Sequence, residues 1–341
     1  MMDTTSSPSR HRKAWLAAAC LLLLSSAAVA QGRSTLANYQ RDLQELFTRV
    51  FTAPTDNERY NANEQAVQLF ADALEQDNSF FWRWDFGKSV SVLTASTKKF
   101  RVITWPVVRD NGEYECFGFV QAYDEREGRY QVYILNDKSE EILNREESLL
   151  SPDNWFGAVY QELVETKHDG KEYYTLIGWS GCDNLTQRKV IEPICFRANS
   201  AKPQFGQALF RRDKNRRRVV LEYSAKAMVN VHYDEQYTRT MVNKKMKGKK
   251  GRIYNIQEAH DVKSPMIILD EVAPMIPGME GLFQYYVPTG TEMAYLFREG
   301  KWELNTNAHG CNSNPRLNKE FAPLPKAEPA YMMRNGIDTK N

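Results

Sequence analysis

The stretch Lys167-His168-Asp169-Gly170-Lys171-Glu172-Tyr173-Tyr174-Thr175-Leu176-Ile177-Gly178-Trp179 decides the fold. A strand-like run, Phe156–Thr166, leads into it, and Tyr173–Trp179 leads out. Between them, Gly170 supplies the positive φ that a tight turn needs, so the two runs form an antiparallel hairpin. Similar runs recur on both sides: Phe100–Val107, Tyr114–Tyr123, Arg129–Leu135, Lys189–Phe196, Arg218–Tyr223, Met228–Tyr233, Met266–Leu269, Phe283–Val287 and Met293–Phe297. Asp110-Asn111-Gly112, Glu127-Gly128 and Glu299-Gly300 punctuate them. Short strands with no long helical pattern between most of them predict an antiparallel meander and disfavour parallel βαβ repeats.

N-terminal to the strands the period is helical. Leu36, Tyr39, Leu43, Leu46, Phe47 and Val50 line one face of a first helix, which Pro54 ends. Asn61 or Asn63 is the expected cap of a second helix, with Val67, Phe70, Ala73 and Leu74 as its apolar stripe. From Phe80 to Phe86 aromatic residues alternate with Arg83 and Asp85, which predicts a first strand. Beyond Asn305 periodicity fades into turn formers and prolines. The expected fold class is therefore α+β, mainly β. A helical pair (31–78) precedes a large antiparallel β-meander domain (79–305), propeller-like or sandwich-like, and an irregular tail (306–341) closes the chain.

A weak internal echo links Phe100-Arg101-Val102-Ile103-Thr104-Trp105 to Tyr174-Thr175-Leu176-Ile177-Gly178-Trp179. It fits either stacked repeats or chance recurrence in a β-rich chain. If Trp179 and Lys189 flank the loop after the hairpin, Cys182 lies in that loop and Cys195 lies opposite Tyr173. Cα atoms must approach within about 7 Å for a disulfide, so no Cys182–Cys195 bond is expected.

The first 30 residues have the three-part layout of an export signal. Arg10, His11, Arg12 and Lys13 precede the apolar run Ala14–Leu24, and Ala28-Val29-Ala30 offers a small-x-small cleavage site before Gln31. Cleavage between Ala30 and Gln31 predicts a periplasmic or extracellular protein with no membrane span. Lipidation at Cys20 is disfavoured because Leu21–Leu24 continue the apolar run. Four cysteines remain, Cys116, Cys182, Cys195 and Cys311, without CxxC spacing.

The chain is 42% hydrophobic and 26% charged over 341 residues, which excludes a disordered composition. Its formal charge of +2 excludes a uniformly basic nucleic-acid binder. That +2 belongs wholly to residues 1–30, and the remainder is neutral but polarised. Residues 201–264 hold 16 Lys+Arg against 6 Asp+Glu. Two basic runs account for this. One contains Arg216, Arg217 and Arg218 in an expected hairpin loop; the other holds Lys244, Lys245, Lys247, Lys249 and Lys250 in an expected solvated loop. In an exported protein such runs fit anionic lipid or an acidic polymer rather than nucleic acid.

Catalytic and metal signatures are poor. His168, His232, His260 and His309 make no metal-binding spacing, and there is no GxSxG elbow, phosphate loop or dinucleotide fingerprint. No cofactor is expected. Ser224 and Lys226 lie two apart on a strand, where a Ser/Lys pair would need a desolvated lysine. Glu222 and Asp234, or Asp234-Glu235, could supply two carboxylates for glycoside hydrolysis. Asp183-Asn184 and Asp153-Asn154 read as turn formers rather than calcium ligands. Trp155, Trp179 and Tyr223 are aromatic candidates for a sugar-stacking platform, although rings at strand spacing favour the core.

The segments Ser151-Pro152-Asp153-Asn154-Trp155-Phe156-Gly157, Tyr173–Trp179, Lys202-Pro203-Gln204-Phe205-Gly206, Arg218–Ser224 and Tyr233-Asp234-Glu235, in this order, resemble a family of uncharacterised exported proteins of Bacteroidetes. The resemblance spans residues 36–305 and implies the compartment and the extent of the domain, with no activity. Family members often carry Asp and Asn where this chain has Ser180 and Cys182, so an acidic or metal role at that turn does not carry over. The expected function is a non-enzymatic exported binding module of the cell envelope, with an anionic polymer, lipid surface or envelope protein as partner. The alternatives are a hydrolase of a glycan or other envelope polymer and a structural subunit of an envelope assembly.

Overall fold

Two helices open the chain, and their sequence sets their ends. In the computed structural model, which describes residues 35–247 and 253–305, α1 covers 35–52 and α2 covers Asp56–Glu75. The α2 cap is Thr55 rather than Asn61 or Asn63. Its Oγ1 accepts the Glu58 N–H at 3.3 Å and donates to Glu58 Oε2 at 3.0 Å. Thr55-Asp56-Asn57-Glu58 carries the Thr-x-x-Glu pattern of a helix start, about two turns ahead of the expected one. Asn61 and Asn63 lie inside the helix, and Asn63 is buried.

Thirteen strands follow among the described residues, in three antiparallel sheets. Sheet I runs in order β1 (Ser91–Thr94), β2 (Phe100–Val108), β3 (Tyr114–Asp124) and β4 (Arg129–Asn136). Sheet II contains β5 (Val159–His168), β6 (Lys171–Gly181), β7 (Thr186–Phe196), β8 (Pro203–Phe205) and β9 (Val219–Ser224), with β8 and β9 sharing one edge of β7. Sheet III runs β10 (Val231–Lys247), β11 (Ile253–Pro274), β12 (Tyr286–Arg298) and β13 (Lys301–Asn305).

Turn chemistry fixes two registers. His168 pairs with Lys171 across Asp169 (φ 47°) and Gly170 (φ 75°), and Arg298 pairs with Lys301 across Glu299 (φ 50°) and Gly300 (φ 74°). Two consecutive positive φ angles make the two-residue turn whose twist matches that of the strands.

The sheets stack face to face, and alternation along each strand sorts side chains between layers. On β2, Ile103, Trp105 and Val107 face the helices, while Phe100 and Val102 join Leu176, Val190 and Ile194 of sheet II. On the other side of sheet II, Val164, Ile177 and Ile191 meet Ile267, Tyr295 and Trp302 of sheet III. The layer order is helices, sheet I, sheet II, sheet III: a stacked sandwich whose first face is closed by the helix pair. The echoed hexapeptides fall on β2 and β6, the second strand of their respective sheets, and Phe100 meets Tyr174 edge-on at 4.9 Å.

The aromatic run after α2 is not a strand. Ser79–Phe81 forms a 3-10 turn, and the backbone beyond it bonds to side chains rather than to a partner strand. Gln44 Nε2 donates to Asp85 O at 3.0 Å, and Gln40 both donates to Asp85 O and accepts its N–H. Arg101, buried on β2, donates to the carbonyls of Phe80 and Trp82. The alternation reflects which rings enter the helix core, with Trp84 buried against Phe70.

Candidate functional site

The two basic runs have opposite fates. The first, expected as a hairpin loop, is strapped across the sheets, and Arg211, Arg212, Arg216 and Arg218 pair with carboxylates. Arg211 pairs with Glu299 (2.7 Å), Arg212 with Glu303 (3.4 Å), and Arg216 with both Glu146 (3.2 Å) and Asp213 (3.1 Å). Arg217 donates to Gly206 O at 3.3 Å. Arg218 is fully buried, its Nε 2.5 Å from Glu192 Oε1. The other Glu192 oxygen accepts from Tyr160 OH, which in turn accepts the Trp155 Nε1–H at 2.8 Å. Arg218 also donates to the carbonyls of Arg145 and Phe205. Arg216, Arg217 and Arg218 are therefore architectural, and Trp155 belongs to the same buried network rather than to a sugar platform.

The described part of the second run, Lys244–Lys247, is strand rather than loop. It lies at the end of a two-stranded arm. β10 and β11 pair without a break from Val231↔Leu269 to Lys247↔Ile253, yet β12 pairs with β11 only over Met266–Pro274. Twelve consecutive pairs, Gln236↔Ser264 to Lys247↔Ile253, therefore have no third strand among the described residues. At roughly 3.4 Å per residue the ribbon reaches about 40 Å from the sheet. Lys244, Lys245, Met246 and Lys247 are exposed at its far end, as is Ile253 on the return strand. Lys249 and Lys250 lie outside the described residues. Residues 244–252 contain six cations and no carboxylate. Lysines on a lone ribbon also discourage further strands from pairing with its edges.

The carboxylate pair considered for hydrolysis does not form. Glu222 faces a cleft on the sheet I side of sheet II, held by Arg188 Nε at 2.9 Å and Arg145 Nη1 at 3.2 Å. Asp234 is on sheet III, stacked on the opposite face of sheet II, where its carboxylate accepts from Glu235 N and Gln236 Nε2. Ser224 caps a turn by accepting the Lys226 N–H, and Lys226 is exposed, so nothing desolvates its amine. Tyr223 is buried, and burial pushes its hydroxyl up to about 12. Trp179 is half-buried, donating to Gln187 Oε1 at 2.9 Å and packing edge-on to Tyr114.

Asp183 accepts the backbone N–H of Leu185 and Thr186, closing the loop that holds Cys182. Cys116, Cys182 and Cys195 are free thiols; Ile194 pairs with Tyr174, which puts Cys195 far down β7 from Cys182. Burial pushes the Cys182 thiol up to about 11. Among the described residues no group of three or more His, Cys, Asp or Glu is placed to hold a metal, and no helix is long and apolar enough to cross a membrane. Ala30, Gln31 and Cys311 lie outside the described residues.

Two adjoining clefts run along sheet I, sharing Glu115, Asp137 and Lys138. The first, about 1000 Å³, lies between α2 and the ends of β3 and β4; the second, about 680 Å³, lies beside the Cys182 loop. In the second the charges are paired, with Arg188 and Arg145 shared between Glu222 and Glu140. At the junction Asp137 accepts from Cys116 N (2.9 Å) and Ser139 N (2.9 Å). Burial raises its pKa, against these two hydrogen bonds. The first cleft's lining includes six carboxamides and two half-buried rings, a set the sequence does not advertise because its members are scattered over α2, β3 and β4.

Comparison with protein-family models, with curated proteins and with solved structures finds no match to this chain.

Proposed function

We propose that this protein is an exported, non-enzymatic binding module of the cell envelope, and that it engages anionic envelope material through its basic arm. One observation carries the reading: of two basic runs, four arginines of one are paired with carboxylates within the fold, and the described lysines of the other are exposed at the end of a two-stranded ribbon. Cations near a negatively charged surface contribute about 1 kcal/mol each, and on a polyanion they release counterions, so binding weakens as salt rises. The test replaces Lys244, Lys245, Lys247, Lys249 and Lys250 with glutamine. Retention on anionic polysaccharide and on anionic vesicles is then compared with wild type across salt, the two arms separating polymer from lipid.

A second reading, a structural subunit of an envelope assembly, is favoured by an apolar connection between β11 and β12. Met275 (63% exposed), Ile276 (47%), Leu282 (46%) and Phe283 (37%) face solvent there. Such a cluster marks a protein contact more often than chance exposure does. Sedimentation of wild type against Ile276→Asp/Phe283→Asp tests it, and identical monomeric profiles that also recover no partner would discard it.

A further inference from the structure

We infer that the cleft between α2 and β4 is a binding site for a neutral saccharide. Its deepest polar group is Asn63, which is 3% exposed and lines the cavity. The Asn63 Oδ1 accepts the Trp105 Nε1–H at 2.8 Å, which fixes the orientation of the side chain. Its Nδ2 has no acceptor among the described residues, so a donor of set direction serves the cleft. This amide nitrogen is not among the buried atoms left without a partner, so solvent in the cleft reaches it and a ligand oxygen would take the place of water there.

Around this point the chemistry is amide-rich. Asn57, Asn61 and Gln65 recur every fourth residue on α2, with Gln68 three further on, and all four are exposed along the cleft. They make a stripe about 16 Å long at 1.5 Å per residue. Asn136 faces them from the end of β4. Each carboxamide offers both donors and an acceptor, as each sugar hydroxyl does, so a row of amides matches a row of hydroxyls without requiring charge. Tyr60 and Phe117, half-buried and edge-on at 6.3 Å, supply apolar surface for the C–H faces of a sugar ring. An anionic ligand is disfavoured here: Glu64, Glu115 and Asp137 line the cleft, and Lys138 is paired with Glu141 at 2.7 Å. The cleft is thus chemically distinct from the arm and does not depend on it.

The experiment titrates the purified protein with chitotetraose, cellotetraose, maltotetraose and mannotetraose, and separately with an uncharged Ala/Gln peptide. The readout is the Trp105 indole N–H resonance, identified as the indole signal that Asn63→Asp displaces. At least one saccharide should shift that signal saturably and equally at low and high salt. Asn61→Ala/Gln65→Ala/Asn136→Ala, all at exposed positions, should weaken binding at least about tenfold. Asn63→Asp keeps the acceptor for Trp105 while replacing the donor, and should weaken binding to a similar degree. Three results would overturn the inference: no shift with any saccharide at about 10 mM, undiminished binding by the triple variant, or binding of the peptide alone. Failure of the lysine variants on polyanions would leave this result untouched, since the two sites differ in salt dependence.

Discussion

Replacing Arg218 with methionine should be among the most damaging single changes in this protein, although Arg218 sits in a run that looks like a surface patch. Its side chain and that of Glu192 are both fully buried, 2.5 Å apart. Methionine fills much of the aliphatic volume, including the place over the Phe156 ring, but leaves the fully buried Glu192 carboxylate without its counter-charge. Breaking a buried pair this way costs about 3–5 kcal/mol. The Arg145 carbonyl also loses its guanidinium donor, whereas Phe205 O still accepts the Leu150 N–H at 2.9 Å. The expected loss is therefore toward the upper part of that range, a large share of a total stability of about 5–15 kcal/mol. Urea unfolding followed by tryptophan fluorescence reads it directly. Arg218→Met/Glu192→Gln removes the stranded charge and keeps an acceptor for Tyr160 OH, so it should recover about 2 kcal/mol or more relative to the single variant. A single-variant loss under about 1 kcal/mol, typical of an exposed arginine, or a double variant worse than the single, would refute the architectural role.

Two further outcomes follow from local geometry. Thr55→Ala removes the α2 cap and should cost about 0.5–2 kcal/mol, read as a lower urea midpoint, whereas Asn61→Ala at the exposed position first expected to cap should leave the midpoint nearly unchanged. Burial raises the Cys182 thiol from its ordinary 9.0 to about 11, so the unfolded chain loses that proton first and its contribution to stability falls as pH rises from about 9 toward 11. Iodoacetamide should accordingly modify native Cys182 about 100-fold more slowly at pH 8 than an exposed thiol of ordinary pKa, and equal rates would contradict the raised pKa of this half-buried thiol.

Much of the architecture is legible in the sequence because it rests on local chemistry. Asp169-Gly170 and Glu299-Gly300 announce their turns, and the apolar stripes of α1 and of α2 from Ala66 to Leu74 recur at helical spacing. What the sequence conceals depends on distant partners. Phe80–Phe86 alternates as a strand does, yet its backbone bonds are satisfied by Gln40, Gln44 and Arg101. Arg218 looks like one more cation in a run; the clue is Glu192, a single acid inside the apolar stretch Val190-Ile191-Glu192-Pro193-Ile194, which demands a buried cation somewhere. The arm escapes detection because Thr238–Lys247 has no apolar alternation, and its strand pairing is with β11 alone. Asn63 interrupts the apolar face of α2, and that interruption is the one sequence trace of the cleft.

The central claim is that the polarised charge of this chain acts through the arm and not through the arginines of the first run. Retention on anionic envelope material, measured from low to high salt for wild type and for the variant with glutamine at positions 244, 245, 247, 249 and 250, tests it most directly. The account predicts that wild type is retained at low salt and released as salt rises, and that the variant loses both the retention and most of the salt slope while keeping the wild-type urea midpoint. Undiminished retention of the variant at low salt would contradict it.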